Sequence, residues 1–225
     1  MLNAKSISSL LLRPEPKLPA LQGPALVIGS GPGAKLPDGF NDAWTIATVN
    51  ASQVVASSMG CGSPDLTLFG NAVLQKRPVN REAQSVLRGL STGTVIWQTR
   101  RTHLRIRLAM LGYSYSRISV LDEARRIEIV SSAVGRRVTH AERPSNGILL
   151  ALLCLHMGSS IVVMTGFSLT QAGHAYNDKG RVRNHVDADN MVLAEALARG
   201  ARIYTSDPLF SSESGIPLFG SATES

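Results

Sequence analysis

Cysteine is nearly absent from this sequence: 225 residues hold only Cys61 and Cys154, in unrelated contexts. Two such residues make neither a disulfide framework nor a metal-binding spacing, which fits a reducing, cytoplasmic compartment. Long hydrophobic runs are lacking as well. The early "SISSLLL" is too short for a membrane span and has no small-residue cleavage site, and "GILLALLCLHMG" has the length of a buried helix. Aromatic residues are 5% of the chain and seldom alternate with arginine, which leaves poor stacking platforms for nucleic acid. Acids are scarce where bases are dense. Residues 76–143 carry 14 Lys and Arg against 5 Asp and Glu, a local +9 within a net charge of +7. That basic middle attracts anions such as a sugar nucleotide or an acidic lipid, so peripheral association with the inner membrane is one use for it.

What is present describes a folded α/β protein. Hydrophobic residues make up 44% of the chain, enough for a sizeable core at this length. Short apolar runs bounded by Gly, Pro, Asn or Asp read as buried strands: "ALVIG" (25–29), "WTIATVN" (44–50), "DLTLFG" (65–70), "GTVIWQ" (93–98), "SSIVVMTG" (159–166) and "ARIYTS" (201–206). "SNGILLALLCLHMG" reads as a helix apolar nearly all round, capped by Ser145 or Asn146 and stopped at Gly158. "DADNMVLAEALARG" reads as a second, capped by Asp187 or Asp189. Alternation of this kind predicts a doubly wound, mostly parallel, Rossmann-like sheet with helices on both faces. The expected organisation is an irregular arm over 1–23, one α/β nucleotide-binding domain over 24–210 and a tail over 211–225. The basic stretch 99–140 reads as a helical insertion or lid.

Two clusters carry chemistry. Gly29-Ser30-Gly31-Pro32-Gly33 follows the first strand, where a glycine turn can hold an anion or nucleotide. It fits the dinucleotide fingerprint badly. Pro37 would cut the following helix after about one turn, and the second strand ends in Asn50 where an NAD site has Asp or Glu. The other cluster is the polar stretch after the 159–166 strand, with His174, Tyr176, Arg181, Arg183 and His185. Histidine can take a proton from a hydroxyl at neutral pH, and arginine and tyrosine can neutralise a departing phosphate. Neither a zinc spacing, a nucleophile elbow nor a phosphate loop ending in Lys-Ser/Thr occurs. No metal and no cofactor are expected.

In order and content these motifs resemble the bacterial sialyltransferases that use CMP-activated sugars, and their relatives in lipopolysaccharide and capsule synthesis. "GSGPG" stands where that family has Gly-Asn-Gly-Pro-Ser. Asn50 ends the second strand, and Asn71 in "LFGN" follows the third. "PSNG", with Ser145, Asn146 and Gly147, resembles the family's Ser-Gly at a helix start, and "VVMTGFSLTQAGHAY", with Gly166, resembles its Thr-Gly strand end. The resemblance implies nucleotide contacts at Gly29, Ser30, Gly31, Pro32, Asn50, Asn71, Ser145, Asn146, Gly147 and Gly166. It implies phosphate or carboxylate contacts at Tyr176, at Thr170 in place of a first tyrosine, and at Arg181 and Arg183. The family's base position falls near Arg181, so His185 or His174 has taken over the role, or the protein is catalytically degenerate.

The activity so implied is transfer of a 3-deoxy acidic sugar from CMP to a glycan or glycolipid acceptor, without metal and with a His general base. An NAD(P)-binding oxidoreductase and a nucleotide-binding protein without activity are the alternatives. Assembly as a homo-oligomer stays open, and nucleic acid is not an expected partner.

Overall fold

A computed structural model describes residues 4–15, 17–31, 33–70, 72–98, 102–170 and 185–220, apart from the side chains of Val79 and Thr102. In chain order the elements are α1 (Ala4–Leu11), β1 (Ala25–Ile28), β2 (Thr45–Val49), α2 (Gln53–Ser58), β3 (Leu66–Phe69), α3 (Arg81–Val86), β4 (Ser91–Trp97), α4 (Thr102–Met110), β5 (Ser114–Val120), α5 (Glu123–Val134), α6 (Asn146–His156), β6 (Val162–Thr165), α7 (Val186–Ala198), β7 (Ile203–Thr205) and α8 (Pro208–Ser214).

The seven strands form one sheet in the order β5-β4-β3-β2-β1-β6-β7. Every pairing is parallel. β1, β3 and β6 are buried at every position. This is why the central strands read as continuous apolar runs: helices cover both of their faces. The chain starts in the middle, runs outward to β5, and returns to the other side of β1 for β6. The direction of strand order therefore reverses between β1 and β6. Doubly wound sheets open a crevice at such a switch point, beyond the carboxyl ends of the strands.

α6 lies against β1, β2 and β6. Ile148, Leu149, Leu150, Leu152 and Leu153 are all at or near zero exposure and sit in the largest apolar cluster, with Val27, Val49, Leu68 and Met164. Truncating such a leucine to alanine costs about 2–5 kcal/mol. The helix is anchored by its all-round burial, so its N-terminus is held in a fixed place above the strand ends. Beneath the other half of the sheet, threonines replace aliphatics. Thr48 and Thr67 hydroxyls lie 2.8 Å apart, Thr67 donates to Thr92 at 3.1 Å, and the buried Tyr113 hydroxyl donates to Gln53 at 2.8 Å. Burial pushes the Tyr113 phenol far above its ordinary range, so it stays protonated.

Two segments differ from their sequence reading. The stretch 99–140, read as a helical insertion or lid, holds α4 and α5 among its described residues and, between them, β5, the edge strand of the main sheet. The segment continues the βα alternation rather than standing apart from it. The arm is not wholly irregular either. α1 packs on β5, where Ser9 Oγ donates to Tyr115 O at 2.7 Å and accepts the Tyr115 N–H at 2.8 Å. Beyond α1, Glu15 pairs with β5 as a strand would: its N–H donates to Ile118 O at 2.8 Å and its carbonyl accepts from Val120 at 3.0 Å. At the opposite edge the residues after α8 do the same to β7. Thr205 donates to Pro217 O at 3.0 Å, and Phe219 donates back to Thr205 O at 2.9 Å.

Candidate functional site

The residue just past each of five strands meets the others in one cleft of about 530 Å3. Reading across the sheet from β4 to β6, these are Gln98, Gly70, Asn50, Gly29 and Gly166. The far wall is built from the N-terminus of α6 (Ser145, Asn146 and Gly147), from Arg126 on α5, and from His185 at the start of α7.

The strand ends are tied to one another by short hydrogen bonds. Asn50 has φ 51°, the left-handed region that asparagine tolerates better than other side chains. That twist brings its Oδ1 back to accept the Gly70 N–H at 2.8 Å. A Cβ on Gly70 would lie 2.5 Å from Asn146 Nδ2, so the glycine leaves room for the first residue of α6. Asn146 Oδ1 in turn accepts from Gln98 Nε2 at 2.7 Å. Side-chain amides from β2, β4 and α6 thus line one floor.

The glycines of the first loop have a packing role. Gly29 N–H donates to Thr165 O at 2.8 Å, and Gly31 N–H to Gly166 O at 2.7 Å. A Cβ on Gly29 would sit 2.3 Å from Gly166 O and 2.9 Å from the Phe167 ring, and one on Gly31 2.8 Å from the same oxygen. Gly147 meets the same ring, with Phe167 Cε1 2.3 Å from where its Cβ would stand. Gly166 itself has φ +69°. Three glycines from two motifs therefore share one cause, the close passage of the Gly166–Phe167 turn at the switch point. Among the described residues no helix stands between β1 and β2. Lys35 is pinned to Thr165 by a reciprocal pair of 2.9 Å bonds, and its carbonyl also accepts from Ser206 Oγ at 2.9 Å. A dinucleotide fold needs a helix N-terminus at this place.

Among the described residues the cleft's charge comes from two arginines that the sequence reading did not single out. Arg143, just before Pro144 and Ser145, donates to Glu123 at 2.8 and 3.0 Å and to the His140 carbonyl at 3.0 Å. Arg126 reaches Glu123 at 3.3 Å, and its buried Nε has no hydrogen-bond partner among the described residues. Burial lowers the Arg126 pKa from its usual value, opposed by Glu123 and helped by Arg143. Both are members of the basic middle, but no local pattern distinguishes them from the twelve other bases there.

Of the residues expected in the site, Gly29, Ser30, Gly31, Asn50, Ser145, Asn146, Gly147, Gly166 and His185 line this cleft. Pro32, Asn71, His174, Tyr176, Arg181 and Arg183 lie outside the described residues. Thr170 is elsewhere engaged: its hydroxyl donates to Glu213, as does Ser168 Oγ at 3.0 Å, and the Leu169 N–H joins them at 2.5 Å. The "DAD" motif also differs from its reading. His185, not an aspartate, occupies the residue before α7, and the buried Asp189 reaches across to the Ser145 backbone. Among the described residues no group of three or more His, Cys, Asp or Glu could hold a metal ion, and no helix is long and apolar enough to cross a membrane.

The fold, a seven-stranded parallel sheet of Rossmann-like order, is similar to that of solved sialyltransferases. The chain is similar to the monofunctional α-2,3-sialyltransferase Cst-I of Campylobacter jejuni, with a TM-score of 0.58, 10% identity, and cover of 92% of this chain and 84% of that one. It is similar to the sialyltransferase CST-II in complex with a trisaccharide acceptor and CMP, with a TM-score of 0.53, 10% identity, and 86% and 85% cover. It is also similar to CstII from Campylobacter jejuni in complex with CMP-3FNeuAc, with a TM-score of 0.51, 11% identity, and 87% and 85% cover. At such identities the likeness is one of fold. No protein-family profile and no curated protein matches the chain by sequence.

Proposed function

We propose that the cleft binds the cytidine nucleotide of a CMP-activated 3-deoxy acidic sugar, and that the protein transfers this sugar to a hydroxyl of a glycan or glycolipid acceptor. The observation that carries the reading is a convergence. Ser30, Asn50, Ser145–Gly147 and His185, singled out separately by their motifs, line one cleft at the switch point of the sheet. The fold shared with sialyltransferases, two of them solved with CMP or a CMP-sugar analogue, supports the same ligand.

In this reading the amide groups of Asn50, Asn146 and Gln98 face the nucleoside. The N-terminus of α6 presents backbone N–H groups and the positive end of its dipole to the phosphate. Arg126 and Arg143 add fixed positive charge near the phosphate or the sugar carboxylate. His185 accepts the proton of the acceptor hydroxyl as its oxygen attacks the anomeric carbon. The bond from that carbon to the phosphate oxygen breaks, and CMP leaves with its charge met by N–H donors rather than by a metal. His174, Tyr176, Arg181 and Arg183 join the same step by resemblance alone. An acceptor in lipopolysaccharide or capsule fits the reading.

Ligand-dependent melting tests it. CMP or CTP raises the melting temperature as its concentration passes the dissociation constant, and NAD(P) does not; the opposite pattern would sink the proposal. With a CMP-sugar donor, His185→Ala keeps the CMP-induced shift and loses turnover. Unchanged turnover in both His185→Ala and His174→Ala would remove the histidine base.

A further inference from the structure

Helix α1 is built inside out. Its buried residues are Ser6 and Ser9, at 0% and 3% exposure, while Ile7 and Leu11, one turn apart, stand at 45% and 78%. A helix held to the sheet by serines and showing branched aliphatics to water reverses the usual pattern. α4 packs alongside it, and Arg105 joins the two by donating to Leu10 O at 2.8 Å and Leu12 O at 2.6 Å. α4 adds a second such pair, Ile106 at 45% and Met110 at 60%, so these two helices hold four of the six large apolar side chains exposed among the described residues. Clustered exposed apolar residues mark a contact surface.

The charge around them names the partner. Lys5 on α1 and Arg13 just after it are exposed, and α4 carries Arg105 and Arg107. Neither helix contains an acid, and the next acid along the chain, Glu15, is taken by Arg117 at 2.9 Å. A second copy of this chain docked face to face would bring like charges together. An anionic bilayer suits both features: aliphatic side chains enter the boundary of the acyl chains while lysine and arginine stay among the headgroups. We propose that the α1–α4 face docks on the surface of a membrane rich in anionic lipid. The proposal is independent of what the cleft binds.

The full chain is sedimented with vesicles of phosphatidylcholine alone and of phosphatidylcholine mixed equally with phosphatidylglycerol. The expected result is binding to the mixed vesicles only, weakened by salt. The pair Leu11→Ser with Met110→Ser, and separately Lys5→Glu with Arg13→Glu, reduces that binding by about tenfold or more at unchanged melting temperature, since all four side chains are exposed. Absence of wild-type binding to the anionic vesicles, or equal binding by both variants, overturns it. So does a dimer in solution that the Leu11→Ser, Met110→Ser pair dissolves, because the occupant is then a second copy.

Discussion

Asp189 Oδ1 accepts the backbone N–H of Ser145 at 2.6 Å, joining the first turn of α7 to the residue that precedes α6. The carboxylate is buried, so the bond fixes where the N-terminus of α6 sits relative to His185, four residues before it. Asp189 acts as a positioning residue for Ser145 and Asn146.

Asp189→Ala leaves the half-buried Ser145 N–H without its acceptor, which costs about 1 kcal/mol. Chemical denaturation measures that loss, and titration with CMP records a weaker affinity in the same variant. Asp189→Asn keeps an oxygen in place and retains most of both quantities.

The two kinds of glycine in the first loop separate by substitution. Gly29→Ala drives a methyl into Gly166 O and the Phe167 ring, an overpacking that costs about 1–3 kcal/mol or more. Gly33 has φ +82° but nothing within 4 Å of its missing Cβ, so Gly33→Ala carries only the backbone strain, about 1–2 kcal/mol. The larger fall in melting temperature belongs to Gly29→Ala.

Asn50 combines a backbone and a side-chain requirement, and two variants part them. Asn50→Gly keeps the left-handed turn and loses the acceptor for Gly70 N–H, a fall of about 1 kcal/mol in unfolding free energy. Asn50→Asp keeps that acceptor and the fold, but sets a negative charge on the cleft floor. Its melting temperature stays near wild type while its affinity for CMP drops.

Glu213 gives a pH signature. Burial raises its pKa, but the donors gathered on it outweigh that. They are the Thr170 hydroxyl, the Leu169 N–H, the Ser168 hydroxyl and the Thr170 N–H, and they hold the carboxyl below its ordinary 4.5. A depressed carboxylate contributes stability that is present above its unfolded value and lost as pH falls through its folded value. The melting-temperature gap between wild type and Glu213→Gln is therefore widest above about pH 5 and closes in acid. A gap that is constant from neutral to acid pH would show that the carboxylate does not hold residues 168–170.

Sequence pattern revealed the parts of the molecule that are buried on both sides. β1, β2, β3, β4, β6 and β7 were all readable as short runs rich in apolar and β-branched residues, most plainly β1, β3 and β6, which are buried at every position. β5 was not, for the same reason reversed. Its Ser116 and Arg117 are exposed, and at the sheet edge the strand reads as "SYSRISV", half polar. The site was legible where backbone geometry demands a residue type, as at Asn50 and the glycines. It was illegible where only the tertiary path brings groups together. One base in fourteen looks like another until the turns of α5 aim Arg126 at the strand ends, and Asp189 looks like a helix cap until the fold brings Ser145 beside it.

Both borders of the sheet are closed by stretches of chain that composition alone marks as arm and tail: Glu15 on β5, and residues 217–219 on β7. A free strand border is a template on which another chain can grow. Cutting both residues 1–23 and those after Gly215 in search of a tidier protein would thus trade a sheet with two guarded flanks for one with two adhesive ones.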